Sequence, residues 1–153
     1  MAEDRHLLTD LRLELRQSAL RPVYTVATDQ RRVATRQGTQ LLTDLATITG
    51  RKNLGQAIVL RLLTPRGELA ALAHPEYGSR LHELIGRQNT ATTLNLVRLF
   101  ILESLGQERR VQKVTAIAVE PVPGTRDRVA VRLQVQPIGA AQALDLGPFL
   151  LEL

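Results

Sequence analysis

Three glutamates in the middle of the chain could supply acid–base chemistry, namely Glu68, Glu76 and Glu83. Hydrolysis of a glycosidic bond needs two carboxyl groups flanking that bond, one of them with a raised pKa. Arg66 and Arg80 lie close by in sequence, so ion-paired or solvated loop residues are the simpler interpretation. A sugar-binding cleft also usually offers aromatic faces, and this stretch has only Tyr77. We therefore expect no catalytic residues, with a hydrolase as the alternative.

The histidines and cysteines predict no metal centre. His6, His74 and His82 are not spaced as ligands on one helix, and the chain has no cysteine. The sequence also lacks a glycine-rich phosphate loop and a Ser-His-Asp pattern. We expect neither a metal nor a cofactor.

The elements that position these residues centre on the stretch 53–79. Asn53 and Gln56 have the spacing of a capping box, which predicts a helix start. The following AIVLRLL is apolar on nearly every side, with Arg61 its one charge, as is typical of a buried helix. Pro65 predicts the end of that helix, because proline disfavours helical geometry in the residue before it.

The segments after this helix are predicted to be two ordered loops and two further helices. Residues 66–68 form a tight polar turn and residues 74–78 a second loop. Residues 79–86 read as a short amphipathic helix. Residues 90–105 read as a longer helix, because Leu94, Val97, Ile101 and Leu105 repeat at three- and four-residue spacing. This longer helix should pack across a sheet.

The C-terminal third predicts an antiparallel sheet. Residues 111–120 are rich in β-formers, and residues 129–135 alternate apolar with polar side chains. Pro123-Gly124 between them is a strong turn signal, so the two strands should pair as a hairpin. The closing GPFLLEL places alternate apolar side chains on one face, which predicts a third strand.

The N-terminal third is harder to interpret. Its first leucines fit either a helix face or a strand, and we favour a strand over Asp10–Leu15. Val23–Thr28 is rich in β-formers. Asp29–Arg32 reads as a turn and Arg32–Thr39 as extended or irregular chain. Gly38–Lys52 reads as a connector into the buried helix.

The composition favours a protein-binding role. The 153 residues carry a net charge of +5, yet Lys52 and Lys113 are the only lysines, so arginine supplies almost all the positive charge. Arginine's planar fork suits buried and interfacial carboxylate pairs. Aromatic content is 3% with no tryptophan, so a stacking platform for nucleic acid is missing, and a basic nucleic-acid adaptor is only a third interpretation. Neither a membrane span nor a signal peptide is indicated, so we expect synthesis in the bacterial cytoplasm.

The central motifs resemble a known family. NLGQAIVLRLLTPRGEL followed by HPEYGSRLHELIG is similar to the baseplate wedge and sheath-initiator family of contractile phage tails, which also occurs in type VI secretion baseplates and in injection particles and is often labelled lysozyme-like. The resemblance covers residues 40–153, whereas residues 1–40 match loosely. Its core motif comprises Asn53, Gln56, Arg61, Pro65, Arg66, Gly67, Pro75, Tyr77 and Gly78.

The resemblance implies two interfaces. Family members dock on the wedge through a Glu-Pro-Arg motif at the end of the first hairpin strand. The match here is Glu120-Pro121 with Val122 in the arginine position, so Arg126 and Arg128 are the candidate replacements. The family also receives extended sheath arms on its C-terminal strand, which corresponds here to Phe149, Leu150, Leu151, Glu152 and Leu153. An edge strand can take such an arm by β-augmentation, although the strand could instead simply complete the chain's own sheet.

These observations predict an α+β fold, a small antiparallel sheet packed against a few helices. Residues 1–40 form an N-terminal extension and residues 41–153 the wedge and sheath-initiator domain. The expected role is structural: linking the baseplate wedge to the sheath and initiating its assembly, with a peptidoglycan hydrolase as the alternative. The implied partners are the sheath protein and other wedge proteins of a six-fold, hetero-oligomeric baseplate, with the inner tube or hub as a further candidate. Neither nucleic acid nor direct membrane insertion is expected, and the final location is the assembled tail or injection particle.

Overall fold

The computed structural model describes residues 7–17 and 22–153, and in this part the predicted α+β class is confirmed. The elements in chain order are β1 (Thr9–Leu11), β2 (Leu13–Gln17), β3 (Pro22–Val26), β4 (Thr28–Thr35), β5 (Gly38–Leu45), β6 (Thr47–Thr49), α1 (Gly50–Leu63), α2 (Ala91–Leu105), β7 (Val111–Pro121), β8 (Arg128–Pro137) and β9 (Leu144–Glu152). Short 3-10 turns at Ala70–Leu72 and Leu81–Leu84 lie between the two helices.

The strands before α1 form three separate antiparallel ribbons, β1 with β6, β2 with β3, and β4 with β5. Their backbones meet in a closed ring of hydrogen bonds. The N–H of Arg12 donates to the carbonyl of Ala46, that of Ala46 to Ala27, and that of Ala27 to Arg12, over 2.8–2.9 Å. Ala27 and Ala46 are buried at this junction. The ribbons therefore leave one point as three arms.

Two N-terminal predictions are wrong. Asp29–Arg32 is not a turn, because these residues lie inside β4 and pair with residues 41–44 of β5. Gly38–Lys52 is not a connector, because it contains β5, β6 and the first residues of α1. The strand predicted at Asp10–Leu15 is present, divided between β1 and β2 at Arg12. The predicted domain boundary at residue 40 falls inside β5.

Helix α1 is buried as predicted but begins earlier than the capping box indicated. Its N-cap is Thr49, so Asn53 and Gln56 lie within the helix and do not start it. Their side chains instead bind the first segment: the Asn53 amide donates to the Leu7 carbonyl over 2.9 Å, and the Gln56 amide donates to the Leu11 carbonyl over 2.8 Å. The helix ends at Leu63 with Thr64 as its C-cap, as the proline signal predicted.

The core lies between the two helices and one face of a three-stranded sheet, whose strands have the order β7-β8-β9. The predicted hairpin and third strand are confirmed as an antiparallel meander. The buried side chains include Leu54, Ile58 and Leu62 of α1, Val97, Ile101 and Leu105 of α2, and Val129, Val131, Leu133 and Val135 of β8. Helix α2 packs on β7, as predicted, and Thr90 caps it by accepting from the N–H of Thr93.

The amphipathic helix predicted over residues 79–86 is wrong in extent. Only Leu81–Leu84 is helical, as a 3-10 turn, with Leu84 buried and Ile85 70% exposed. Within the described residues, no helix combines the length and apolar character that a membrane crossing requires.

Candidate docking interface

The loop after α1, residues 64–79, is closed by backbone hydrogen bonds between its two ends. Pro65 and Ser79 form a parallel bridge, with the Arg66 N–H donating to the Ser79 carbonyl over 2.8 Å and the Ser79 N–H to Thr64 over 2.9 Å. Gly78 has φ +107°, and a Cβ there would lie 2.5 Å from the Thr64 carbonyl oxygen. Because that contact is with backbone, only glycine fits between the two ends of this loop.

Two of the three candidate catalytic glutamates, Glu76 and Glu83, pair with arginines, and the third, Glu68, is exposed. Arg66 contacts Glu76 and also Glu103, the latter over 2.5 Å. Arg80 donates to both oxygens of Glu83 over 2.7 and 2.8 Å. This hydrogen bonding lowers the pKa of Glu83, which is opposite to the shift that a general acid requires.

Arg61 lies buried beneath the loop. Its guanidinium stands 4.5 Å from the centre of the Tyr77 ring, and its Nε lies 3.7 Å from Glu108. Arg110 makes the closer pair with Glu108, at 2.8 Å. Burial by itself would raise the pKa of Glu108, but the hydrogen bonds and charge of Arg110, together with Arg61, lower it. Arg61 and Tyr77 of the core motif are therefore packed together, and they hold the loop on α1.

The predicted wedge-docking residues lie together at one end of the sheet. Glu120 and Pro121 are exposed at the end of β7. Arg126 and Arg128 are exposed in the turn and at the start of β8. Asn89 holds this turn in place, because its N–H donates to the Arg126 carbonyl over 2.9 Å and its side-chain amide to Thr125. The corner is thus exposed in its side chains and fixed in its backbone.

The strand β9 forms an edge of the sheet and pairs on one side only, with β8, among the residues that the structure describes. Its ladder is interrupted, since Val131 faces Phe149 whereas Leu133 faces Leu146. Gly147 and Pro148 therefore bulge opposite Arg132. Proline has no N–H to offer a new strand. The bulge limits the uninterrupted edge to residues 149–153, the segment predicted for sheath docking.

The hydrogen-bonding parity of β9 identifies its free backbone groups. The Leu153 N–H donates to the Asp127 carbonyl over 2.6 Å, so residues 153, 151 and 149 direct their backbone groups towards β8. On the other side of β8, the Arg128 carbonyl accepts from the N–H of Val122, which follows β7, as this alternation of backbone groups requires. The N–H and C=O groups of Leu150 and Glu152 consequently face away from the sheet.

The side chains of β9 alternate in the same way. Leu151 and Leu153 are buried, whereas Leu150 is 48% exposed on the opposite face. Glu152 pairs with Arg128 over 2.8 Å. This ion pair joins the two predicted interfaces, because Arg128 belongs to the corner and Glu152 to the free edge. The sequence did not reveal this proximity, although a Gly-Pro pair within a strand pattern is a recognisable bulge signal.

No cluster of three or more metal-ligating side chains occurs in the described ranges. His6 lies outside those ranges. His82 contacts the Ser79 carbonyl through its Nδ1 at 3.1 Å, and His74 is exposed in its loop.

Comparison with known proteins identifies the fold. No protein-family model and no curated protein matches the sequence. Among solved structures, the chain is similar to a crystal structure from Geobacter sulfurreducens described as a "putative tail lysozyme", with 19% identity and a TM-score of 0.56. The similarity covers 67% of this chain and 89% of the other. At this identity the likeness shows a shared fold, that of a protein assigned to a tail.

Proposed function

We propose that this chain is a structural component of a contractile tail or injection-system baseplate that links the wedge to the sheath. The observation that supports it most is the free edge of β9, with its outward backbone groups at Leu150 and Glu152. The strand β8 separates this edge from the exposed Glu120-Pro121, and the Arg128–Glu152 ion pair connects the two regions. Two further observations agree with this proposal. The chain shares its fold with a structure described as that of a tail protein. Its central motifs also resemble the sheath-initiator family.

The mechanism that we propose is addition of a sheath strand to β9. An extended arm of a sheath subunit would bind the outward N–H and C=O groups of residues 150 and 152 in an antiparallel or parallel ladder. Main-chain hydrogen bonds would supply affinity, and the exposed Leu150 side chain would contribute apolar contact. Because β9 belongs to the packed sheet, the first sheath ring would inherit a fixed orientation.

Docking to the wedge would use the corner. Val122 occupies the position where the family has arginine, so Arg126 and Arg128 would supply the cationic side of a charge pair and Glu120 the anionic side. The partners in this proposal are wedge proteins on one side and sheath protein on the other.

A backbone-directed substitution tests the proposal. Leu150→Pro removes one outward N–H without removing a bond of the chain's own ladder, and edge strands tolerate proline at such positions. Leu150→Ala shortens the same side chain but keeps the N–H, so it is the matched control. Deleting residues 149–153 would be a poorer test, because Leu151 and Leu153 belong to the core.

The readout is sheath assembly on baseplates that carry each variant, scored as the fraction with sheath by electron microscopy. We expect Leu150→Pro to fold, to melt close to the unmodified chain, and to reduce sheathed particles by about ten-fold, as loss of one ladder bond and its register implies. Leu150→Ala should retain most of them. Normal sheath on Leu150→Pro baseplates would contradict strand addition at this edge.

A peptidoglycan hydrolase is the second candidate, because the similar Geobacter structure is described as a lysozyme. Glu76 and Glu83 would have to act from within arginine pairs, and the lowered pKa of Glu83 opposes a role as general acid. Turnover of purified cell wall by the full chain, compared with Glu68→Gln and Glu76→Gln, separates the candidates. Clearing by the unmodified chain that is lost in either variant would contradict the structural proposal and support a hydrolase. No clearing by the unmodified chain or by the variants would support the structural proposal.

A further inference from the structure

We propose that the β4–β5 ribbon is a docking arm for a partner protein whose contact surface combines an apolar groove with acidic side chains. This arm is a surface distinct from the β9 edge and from the Glu120-Pro121 corner. Its exposure, strand register and charge determine what it can bind.

The arm is exposed on both of its faces. Along residues 28–35 and 38–45 every side chain is exposed except that of Val33, which is half-buried. Leu41, Leu42 and Leu45 are 56%, 46% and 53% exposed. A two-stranded ribbon is marginally stable in water without a surface to pack on. Three leucines on such a ribbon indicate that another surface covers it in the assembled state.

The strand register places apolar and cationic groups side by side. Arg31 faces Leu42, and Arg32 faces Leu41, so the two pairs lie on opposite faces of the ribbon. Each face therefore presents a leucine beside a guanidinium. This arrangement suits insertion into a groove, in which both faces make contact, better than adsorption onto a flat surface.

The charges of the arm select the partner. Arg31, Arg32 and Arg36 lie in its outer part, while the acids Asp29 and Asp44 lie opposite each other at its base. Asp29 forms an ion pair with Arg12 over 3.1 Å. The outer part thus carries three positive charges and no acid between residues 30 and 43. Such a surface complements carboxylates, which arginine binds through its planar fork.

Two other occupants are disfavoured by the same features. A second copy of this chain carries a net charge of +5 and would be repelled by the cationic arm. Nucleic acid would meet no aromatic side chain between residues 28 and 45, and the exposed leucines would gain nothing from a phosphate backbone. An acidic, partly apolar protein groove satisfies both the arginines and the leucines.

The test places a photo-crosslinking residue, p-benzoylphenylalanine, at Gln40 of the full chain in the cells that naturally produce it. Gln40 is exposed in the arm and pairs with Val33. We expect cross-links to one protein, within a segment that contains Asp or Glu next to apolar residues, as identified by mass spectrometry. Cross-links mainly to a second copy, mainly to nucleic acid, or to nothing would overturn the proposal.

Variants then test the chemistry. Arg31→Glu/Arg32→Glu and, separately, Leu41→Ser/Leu42→Ser should each reduce that cross-link by about ten-fold or more, as lost charge pairs and lost apolar burial imply. Arg109→Glu, an exposed arginine outside the arm, is the control and should leave it unchanged. Substituting arginine for the cross-linked carboxylate of the partner should restore binding to the Arg31→Glu/Arg32→Glu variant.

Folding is checked independently, since the arm contributes little to the core. The thermal midpoint of both double variants should stay within about 2 °C of the unmodified chain, as expected for exposed positions. Equal cross-linking by the arm variants and the unmodified chain would overturn the proposal whatever the outcome of the sheath assay with Leu150→Pro. The two proposals therefore fail separately.

Discussion

The bulge at Gly147 gives a sharp prediction about how the edge strand is built. Gly147 has φ +99°, and a Cβ there would lie 2.5 Å from the Val131 carbonyl oxygen and 3.1 Å from the Phe149 nitrogen. Both atoms are backbone of the β8–β9 ladder, so alanine would push the strands apart. Gly124, in the hairpin turn of the same sheet, has φ +79° but nothing within 4 Å of its Cβ position. The two glycines therefore differ mainly in whether an added Cβ would collide with backbone atoms.

The two substitutions separate backbone strain from that collision. Gly124→Ala should lower the free energy of unfolding by about 1 kcal/mol. An alanine in the left-handed conformation is strained in the folded state, and the smaller conformational freedom of alanine in the unfolded chain offsets part of that penalty. Gly147→Ala adds the weakening of one or two ladder hydrogen bonds, each worth about 1 kcal/mol, for a total of about 2–3 kcal/mol. In a domain of this size that total corresponds to a melting-point loss of about 4–12 °C, against about 2–4 °C for Gly124→Ala. Thermal unfolding followed by circular dichroism measures both. Equal losses would refute the steric role assigned to the bulge.

The buried charges beneath the loop give two more predictions. Arg61→Ala should lower the free energy of unfolding in urea by about 2–4 kcal/mol, because it leaves a cavity under Tyr77. Arg61→Met fills that space and leaves Glu108 paired with Arg110, so its free energy of unfolding should stay within about 1 kcal/mol of that of the unmodified chain. Equal costs would contradict this packing role. The lowered pKa of Glu108 stabilises the fold above the ordinary glutamate pKa of about 4.3, and this stabilisation is lost as pH falls through the lower, folded-state value. Glu108→Gln should therefore flatten the dependence of unfolding free energy on pH below about pH 4.3, and an unchanged acid limb would argue against it.

The C-terminal half could be predicted from sequence because its patterns coincide with its burial. Residues 129–135 alternate, and their apolar members point to a covered face while the others do not. In α2 the apolar spacing matches the buried line through Val97, Ile101 and Leu105. In both elements one face is covered by the core, so sequence periodicity and structure agree.

The N-terminal ribbons could not be predicted in the same way. The β4–β5 ribbon buries neither face, so its leucines and arginines follow no two-residue alternation. The polar run Asp29–Arg32 therefore predicts a turn where the structure has a strand. The helix start was misplaced for a related reason. Asn53 and Gln56 have capping chemistry, but backbone groups of Leu7 and Leu11, more than 40 positions away in sequence, bind them instead. Tertiary partners of this kind leave no local signal.

The candidate site was only partly visible in the sequence. The third strand and the exposed Glu120-Pro121 corner were predicted from local pattern and resemblance. Their meeting at the Arg128–Glu152 pair depends on the register between β8 and β9, which the bulge at Gly147 shifts. Register is a property of two strands, so one strand's sequence does not contain it.

A reconstruction of the assembled particle by electron cryo-microscopy would show whether a sheath strand is added to β9. We expect a polypeptide from a neighbouring sheath subunit to lie along the outer side of β9, with its backbone hydrogen-bonded to Leu150 and Glu152. An outer side of β9 exposed to solvent in the sheathed particle, or covered only by side chains, would contradict it.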